Sequence, residues 1–207
     1  VSDSILSTID ALRARYAPAR ERSVAKQLAA LDVHATRFVA LSPFVVVASG
    51  GVDGMDASPR GGAPGFVKVI DAHTLLIPDS PGNNRLDTLQ NILHTPQVGL
   101  LFLVPGVDET LRVNGTAVLS LDAADRALCE DARRVPALVI RVSVQACYLH
   151  CAKALMRSEL WDPAHHQPRS CMPSMGEMLR DQVAHKVTPG TAFENQEQML
   201  ARYRETL

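Results

Sequence analysis

The chain lacks an excess of charge of either sign. Its 207 residues carry 21 Lys and Arg against 22 Asp and Glu, a formal net charge of −1. That balance argues against a general nucleic-acid binder, which needs a strongly basic face or tail, though a local basic patch stays compatible with it. Long apolar runs are missing too, and none approaches the length of a membrane-spanning helix. The first twenty residues are charged and helix-like, so no secretory signal is expected ahead of the fold. Cysteine is scarce: Cys129, Cys147, Cys151 and Cys171 are all there is. They are expected as reduced thiols, which points to the cytoplasm. The short signatures of common catalysis are absent as well: no G-x-S-x-G elbow, no HExxH, no Walker loop, no full GxGxxG. Carboxylates look scattered rather than paired. There is no internal repeat and no low-complexity segment.

What is present is a large apolar fraction, 46% of residues, enough for one domain with helical additions. Residues 3–15 set Ile5, Ile9 and Leu12 at helical spacing, and residues 19–31 do so through Val24, Leu28 and Leu31. A short third helix over 32–41 completes a predicted N-terminal helical layer, residues 1–41. From Ser42 the character changes. "PFVVVAS", "GFVKVID", "TLLIPD" and "VGLLFLV" are strand-like runs, "GGVDGMD" is turn-rich, and "DAH" is a tight join. "ETLRVNGTAVLSL" alternates as a further strand. At Asn114-Gly115 local rules allow either a hairpin or a bulge in one long strand. In "ALVIRVSVQACYL" the alternation puts Ile140, Val142, Val144, Ala146 and Tyr148 on one face and Arg141, Ser143, Gln145 and Cys147 on the other. Six or seven strands with short connections predict an antiparallel sheet, closed or partly closed as a barrel. The expectation is a mainly β, α+β core over 42–157. A helical extension follows over 158–207, with helices near 174–185 and 194–206.

Four stretches concentrate chemistry. In "DASPRGGAPGF", 56–66, Arg60 sits among small residues. Glycines permit close approach of a ligand, and arginine matches phosphate geometry; a glycine-rich loop with a solvated arginine fits the same letters. In "IPDSPGNNRLDTLQNIL", 77–93, a strand gives way to a loop and then a helix. Asn83 or Asn84 is expected to cap that helix, whose free amides favour an anion. Arg85 would be disfavoured by the helix dipole unless an anion sits between. Lys68 either joins this site or faces water. In "YLHCAKALMRSELWDP", 148–163, His150, Lys153 and Arg157 are spaced to share a helical face, with Trp161 one turn on. They suit a phosphate and a flat ring, or simply a solvated helix. The fourth is the set Cys147, His150, Cys151, His165, His166 and Cys171, whose spacing fits no common zinc pattern.

Taken together, these stretches resemble the pyridoxamine 5'-phosphate oxidase-like proteins. "SPFVVVAS", "DASPRGGAPGFVKVIDAHTLLIPDSPGNNRLDTLQNIL" and "VGLLFLVPGVDETLRVNG" carry the likeness, and "HCAKALMRSELWDP" is similar to the C-terminal stretch of a bacterial branch of probable FMN-dependent enzymes. The resemblance spans roughly residues 5–185. It implies a split β-barrel homodimer with FMN at the interface, no nucleic acid, no membrane, and no resident metal. It implies a phosphate site at Ser58, Arg60, Asn84 and Arg85, with Lys68 a weaker candidate. The flavin ring would lie along Phe66, Val67, Lys68 and Val69 and along Leu76, Ile77 and Pro78, while Lys153, Arg157 and Trp161 reach over from the partner chain. Hydride transfer at flavin N5 needs no side-chain nucleophile, so the substrate, a small molecule, stays unnamed. Thr116 departs from the pattern, standing where a basic residue is expected after "VNG". No C-terminal arginine–histidine pair for the vitamin B6 reaction is found in "MLARYRETL". A different class of function on the same barrel is storage or sensing of flavin or haem, with His150 or His165 as the haem ligand to watch.

Overall fold

Three consecutive valines start the sheet. Val45 and Val47 point inward and are fully buried, while Val46 between them stays half-exposed, the period-2 signature of a strand with one covered face. The computed structural model describes residues 4–52, 54–188 and 190–206. The first three residues of the predicted first helix and Asp53 of the predicted turn lie outside that set. The strands are β1 Phe44–Gly51, β2 Gly54–Gly61, β3 Lys68–Asp71, β4 Thr74–Pro78, β5 Gln97–Leu103, β6 Thr110–Ser120 and β7 Val139–His150. They form one seven-stranded sheet in the order β2-β1-β5-β6-β7-β4-β3, with every neighbouring pair antiparallel. β2 and β3 do not meet, so the sheet is a split barrel rather than a closed one.

The helices are α1 Ile9–Arg13, α2 Glu21–Ala25, α3 Val33–Leu41, α4 Asp87–His94, α5 Ala123–Leu128, α6 Lys153–Ser158, α7 Met175–Val183 and α8 Gln196–Thr206. α3 and α4 close the core: Ala35, Val39, Leu89 and Ile92 join Val45, Val47, Phe102, Leu111, Val113 and Val142 in one cluster. α4 packs chiefly against β1. By contrast α1 and α2 bury no residue. The predicted second helix is also shorter than its periodicity suggests. Leu28 lies outside it and exchanges two backbone hydrogen bonds with Cys147 of β7, at 2.9 and 2.8 Å. A strand partner wins there over a solvent-exposed helical turn.

β6 runs unbroken through Asn114-Gly115, so the bulge prevails over the hairpin. Asn114 pairs with Ala146 and Gly115 with Val144, leaving Gln145 over on β7. One surplus residue shifts the side-chain phase by one. Before it Val142 and Val144 are buried; beyond it Cys147 is buried, and Ala146 and Tyr148 are half-exposed. The uniform alternation predicted for β7 therefore holds only as far as Gln145. The bulge needs Gly115, because a Cβ there would collide with the Ser143 carbonyl. Gly115→Ala is expected to cost about 1–3 kcal/mol, seen as a lower denaturation midpoint at unchanged slope. An unaltered midpoint would mean that the ladder shifts without cost.

Two compact units divide at Ser158 and Glu159. The second contains α7, opened by a capping box between Ser174 and Glu177, and α8. Within it Arg202 donates to the Glu194 carboxylate at 2.8 Å. Among the described residues no helix is long and apolar enough to cross a membrane.

Candidate functional site

Period 2 also governs β2. Asp56, Ser58 and Arg60 are half-buried on one side, and Ala57, Pro59 and Gly61 between them are exposed. The predicted glycine-rich loop around Arg60 is thus a strand up to Gly61. Pro59 is tolerated because β2 ends the sheet. The inward side of β2 faces the loop after β4 and the start of α4 across a cavity of about 290 Å³, lined by Ser58, Arg60, Asp79, Asn84 and Arg85 among others.

Arg60 is the most enclosed cation of this cavity, its side chain 20% exposed. Its Nη1 lies 3.9 Å from Asp79 Oδ1, an ion pair too long for a hydrogen bond. Its Nε is buried with no partner at all. An unfilled buried donor on a charged group is costly and marks a place where a ligand oxygen fits.

The loop reaches α4 through a tight turn. Asn83 Oδ1 accepts from the Arg85 amide at 3.1 Å. Asn84 (φ 58°) and Leu86 (φ 59°) are both left-handed. Such a conformation is costly for a leucine and such strain gathers at functional sites. The cap position of α4 is Leu86, with no side-chain cap bond. Neither asparagine caps the helix, as expected from sequence; they shape the turn that presents Arg85. That side chain is 71% exposed and bonds Asp87 Oδ2 through Nε at 2.7 Å, which raises the pKa of the guanidinium. The cavity thus holds two arginines and three aspartates, Asp56, Asp79 and Asp87. The aspartates, scattered in sequence, converge in space.

A second cavity of about 300 Å³ adjoins the first, and Asp79 and Ser80 line both. Phe66, Lys68, Pro78 and Cys129 border it. Lys68 Nζ donates to the Gly65 carbonyl at 3.1 Å, so Lys68 belongs to this second cavity. Val67 and Ile77 are core residues, 2% and 0% exposed, and offer a ligand only backbone. Burial pushes the thiols of Cys129 and Cys147 up to about 11, leaving both unreactive near neutral pH.

The third sequence cluster does not assemble as spaced. His150 ends β7, whereas Lys153 and Arg157 belong to α6. The three therefore share no helical face; Lys153 and Arg157 do, both exposed, and Trp161 is half-buried in the second unit. His165 bonds Glu159 through Nδ1 at 3.1 Å. Among the described residues no three His, Cys, Asp or Glu side chains are placed to hold a metal.

A family model described as pyridoxamine 5'-phosphate oxidase matches residues 31–151. The chain belongs to that family. The match to the pyridoxamine 5'-phosphate oxidase family takes in all seven strands, α4 and both arginines of the first cavity. Solved structures of similar fold include HupZ of Group A Streptococcus, with 15% identity, 57% of this chain and 93% of that one covered, and a TM-score of 0.49. Another is a pyridoxamine 5'-phosphate oxidase candidate from Lactobacillus delbrueckii, with 19% identity, 59% and 98% covered, and a TM-score of 0.47. An FMN-binding protein from Syntrophomonas wolfei shows 7% identity, 56% and 81% covered, and a TM-score of 0.42. No curated protein matches the chain.

Proposed function

We propose that the chain binds FMN and works as an FMN-dependent oxidoreductase on a small organic substrate in the cytoplasm. The observation that carries this reading is Arg60: a largely enclosed guanidinium with a buried, unfilled Nε, facing a cavity shared with Ser58, Asn84 and Arg85, in a member of this family. A phosphate offers the fork of acceptor oxygens that such a group lacks. Ser58 and Asn84 add uncharged polar groups beside it.

When bound, FMN supplies two-electron transfer at its ring. The chain's own part is to bind and orient. Arg60 and Arg85 would hold the phosphate. The second cavity, reached past Asp79 and Ser80, would border the ring with Phe66 and Pro78. Val67 and Ile77 would contribute backbone alone.

A homodimer belongs to the same proposal. Val46, Ala48, Leu101 and Leu103 are half-exposed on the outer face of the sheet, beside a largely apolar cleft of about 500 Å³ that reaches α6. A second copy would cover that face, with Lys153 and Arg157 of α6 and Trp161 available to the partner's cofactor. Thr116 pairs with Gln97 and Ser143 in mid-strand; a basic residue there would put its charge elsewhere than beside Arg60.

The test is an absorbance spectrum of the purified protein, followed by mass spectrometry of what it releases on denaturation. Flavin bands and stoichiometric FMN are expected. A colourless protein that takes up no added FMN would overturn the assignment.

A further inference from the structure

The two arginines of the first cavity differ in readiness. Arg60 is enclosed, and its carboxylate neighbour stands 3.9 Å away. Arg85 is already engaged, its Nε donating to Asp87 Oδ2 at 2.7 Å. Asp87 opens α4, and its neighbours Asn84 and Leu86 are held in left-handed geometry. The backbone around Arg85 is therefore fixed, and its exposed side chain is the part free to swing.

Charge makes the choice of partner matter. With three aspartates and two arginines on its lining, the cavity does not attract an anion by net charge. An anion enters only by taking a guanidinium from a carboxylate. A phosphomonoester brings close to two negative charges and three acceptor oxygens, so it outbids a single carboxylate. A carboxylic acid, with one charge and two oxygens, does not.

We propose that Asp87 is a competing partner that holds Arg85 until a phosphomonoester displaces it, and so restricts the site to dianionic phosphate ligands. The proposal rests on the FMN reading and assigns Asp87 a positioning role. Asp79 keeps Arg60 in place without filling its donors; Asp87 fills the donor that the ligand needs.

The experiment compares wild type, Asp87→Asn, Arg85→Ala and the double variant by quenching of flavin fluorescence, with FMN and with riboflavin. Asp87→Asn keeps the size of the side chain and removes its charge. FMN affinity is expected to rise about three- to tenfold in Asp87→Asn, riboflavin affinity to stay put, and the gain to vanish in the double variant. Inorganic phosphate is expected to compete better with FMN in Asp87→Asn than in wild type, while acetate competes in neither. Unchanged or weaker FMN binding by a folded Asp87→Asn protein overturns the exchange and leaves the FMN assignment standing. So does a gain that riboflavin shares or that survives Arg85→Ala. Failure of wild type to bind FMN or phosphate overturns both.

Discussion

Arg60→Ala is expected to weaken FMN binding by about one to two orders of magnitude, the effect of losing hydrogen bonds to a charged group worth about 1.5–3 kcal/mol. The fold should not suffer. Arg60 carries a buried Nε with no partner, and removing such a donor recovers desolvation free energy rather than losing a contact. Loss of affinity without loss of stability is the signature of a residue kept for its ligand. Arg60→Lys keeps the charge and loses the fork, so it should fall between wild type and alanine. Isothermal titration with FMN, beside a denaturation curve for each variant, checks both halves. Equal FMN affinity in Arg60→Ala would remove the residue from the site.

The second large effect lies beneath the site. Phe102 is 0% exposed in the middle of the core cluster, on a strand two places from β2. Phe102→Ala deletes a ring that the surrounding Val and Leu side chains cannot replace, and should cost about 3–5 kcal/mol. Against a total of about 5–15 kcal/mol that leaves a marginal protein. Urea unfolding should show a much lower midpoint with little change in slope. A loss below about 1 kcal/mol would mean that the core recloses around the gap.

Most of the architecture was legible because strand patterning is local. The valines of β1, the apolar run of β5 and the alternation in β6 each identify a strand without help from the rest of the chain. What escaped depends on contacts distant in sequence. The phase change in β7 follows from the close approach of Gly115 to Ser143, which no window on residues 139–150 contains. Leu86, Leu89, Ile92 and Leu93 look like one apolar face, yet only Leu89 and Ile92 are buried. Leu86 and Leu93 are 49% and 74% exposed, because the left-handed turn at Leu86 starts the helix one residue later.

The candidate site was legible in part. Ser58, Arg60, Asn84 and Arg85 do line one cavity, since one strand and one helix start bring them together. Lys68 could not be assigned from sequence: being one strand away does not decide which cavity a side chain enters. The aspartates were missed although two of them, Asp79 and Asp87, stand inside the stretch that drew notice. Their spacing in sequence carries no sign of pairing, and only the turn between them brings their charges onto one lining.

Pro59 has a consequence outside ligand binding. A strand with one free side is a template on which another chain can add its own hydrogen bonds, the first step of strand stacking and aggregation. Proline has no N–H to give, and it sits in a paired strand only where that missing donor faces away from the neighbour. Opposite Val46 of β1, Pro59 therefore interrupts the row of donors on the outer border of β2. The residue beside the key arginine also keeps the sheet finite, steering self-association away from endless side-by-side growth.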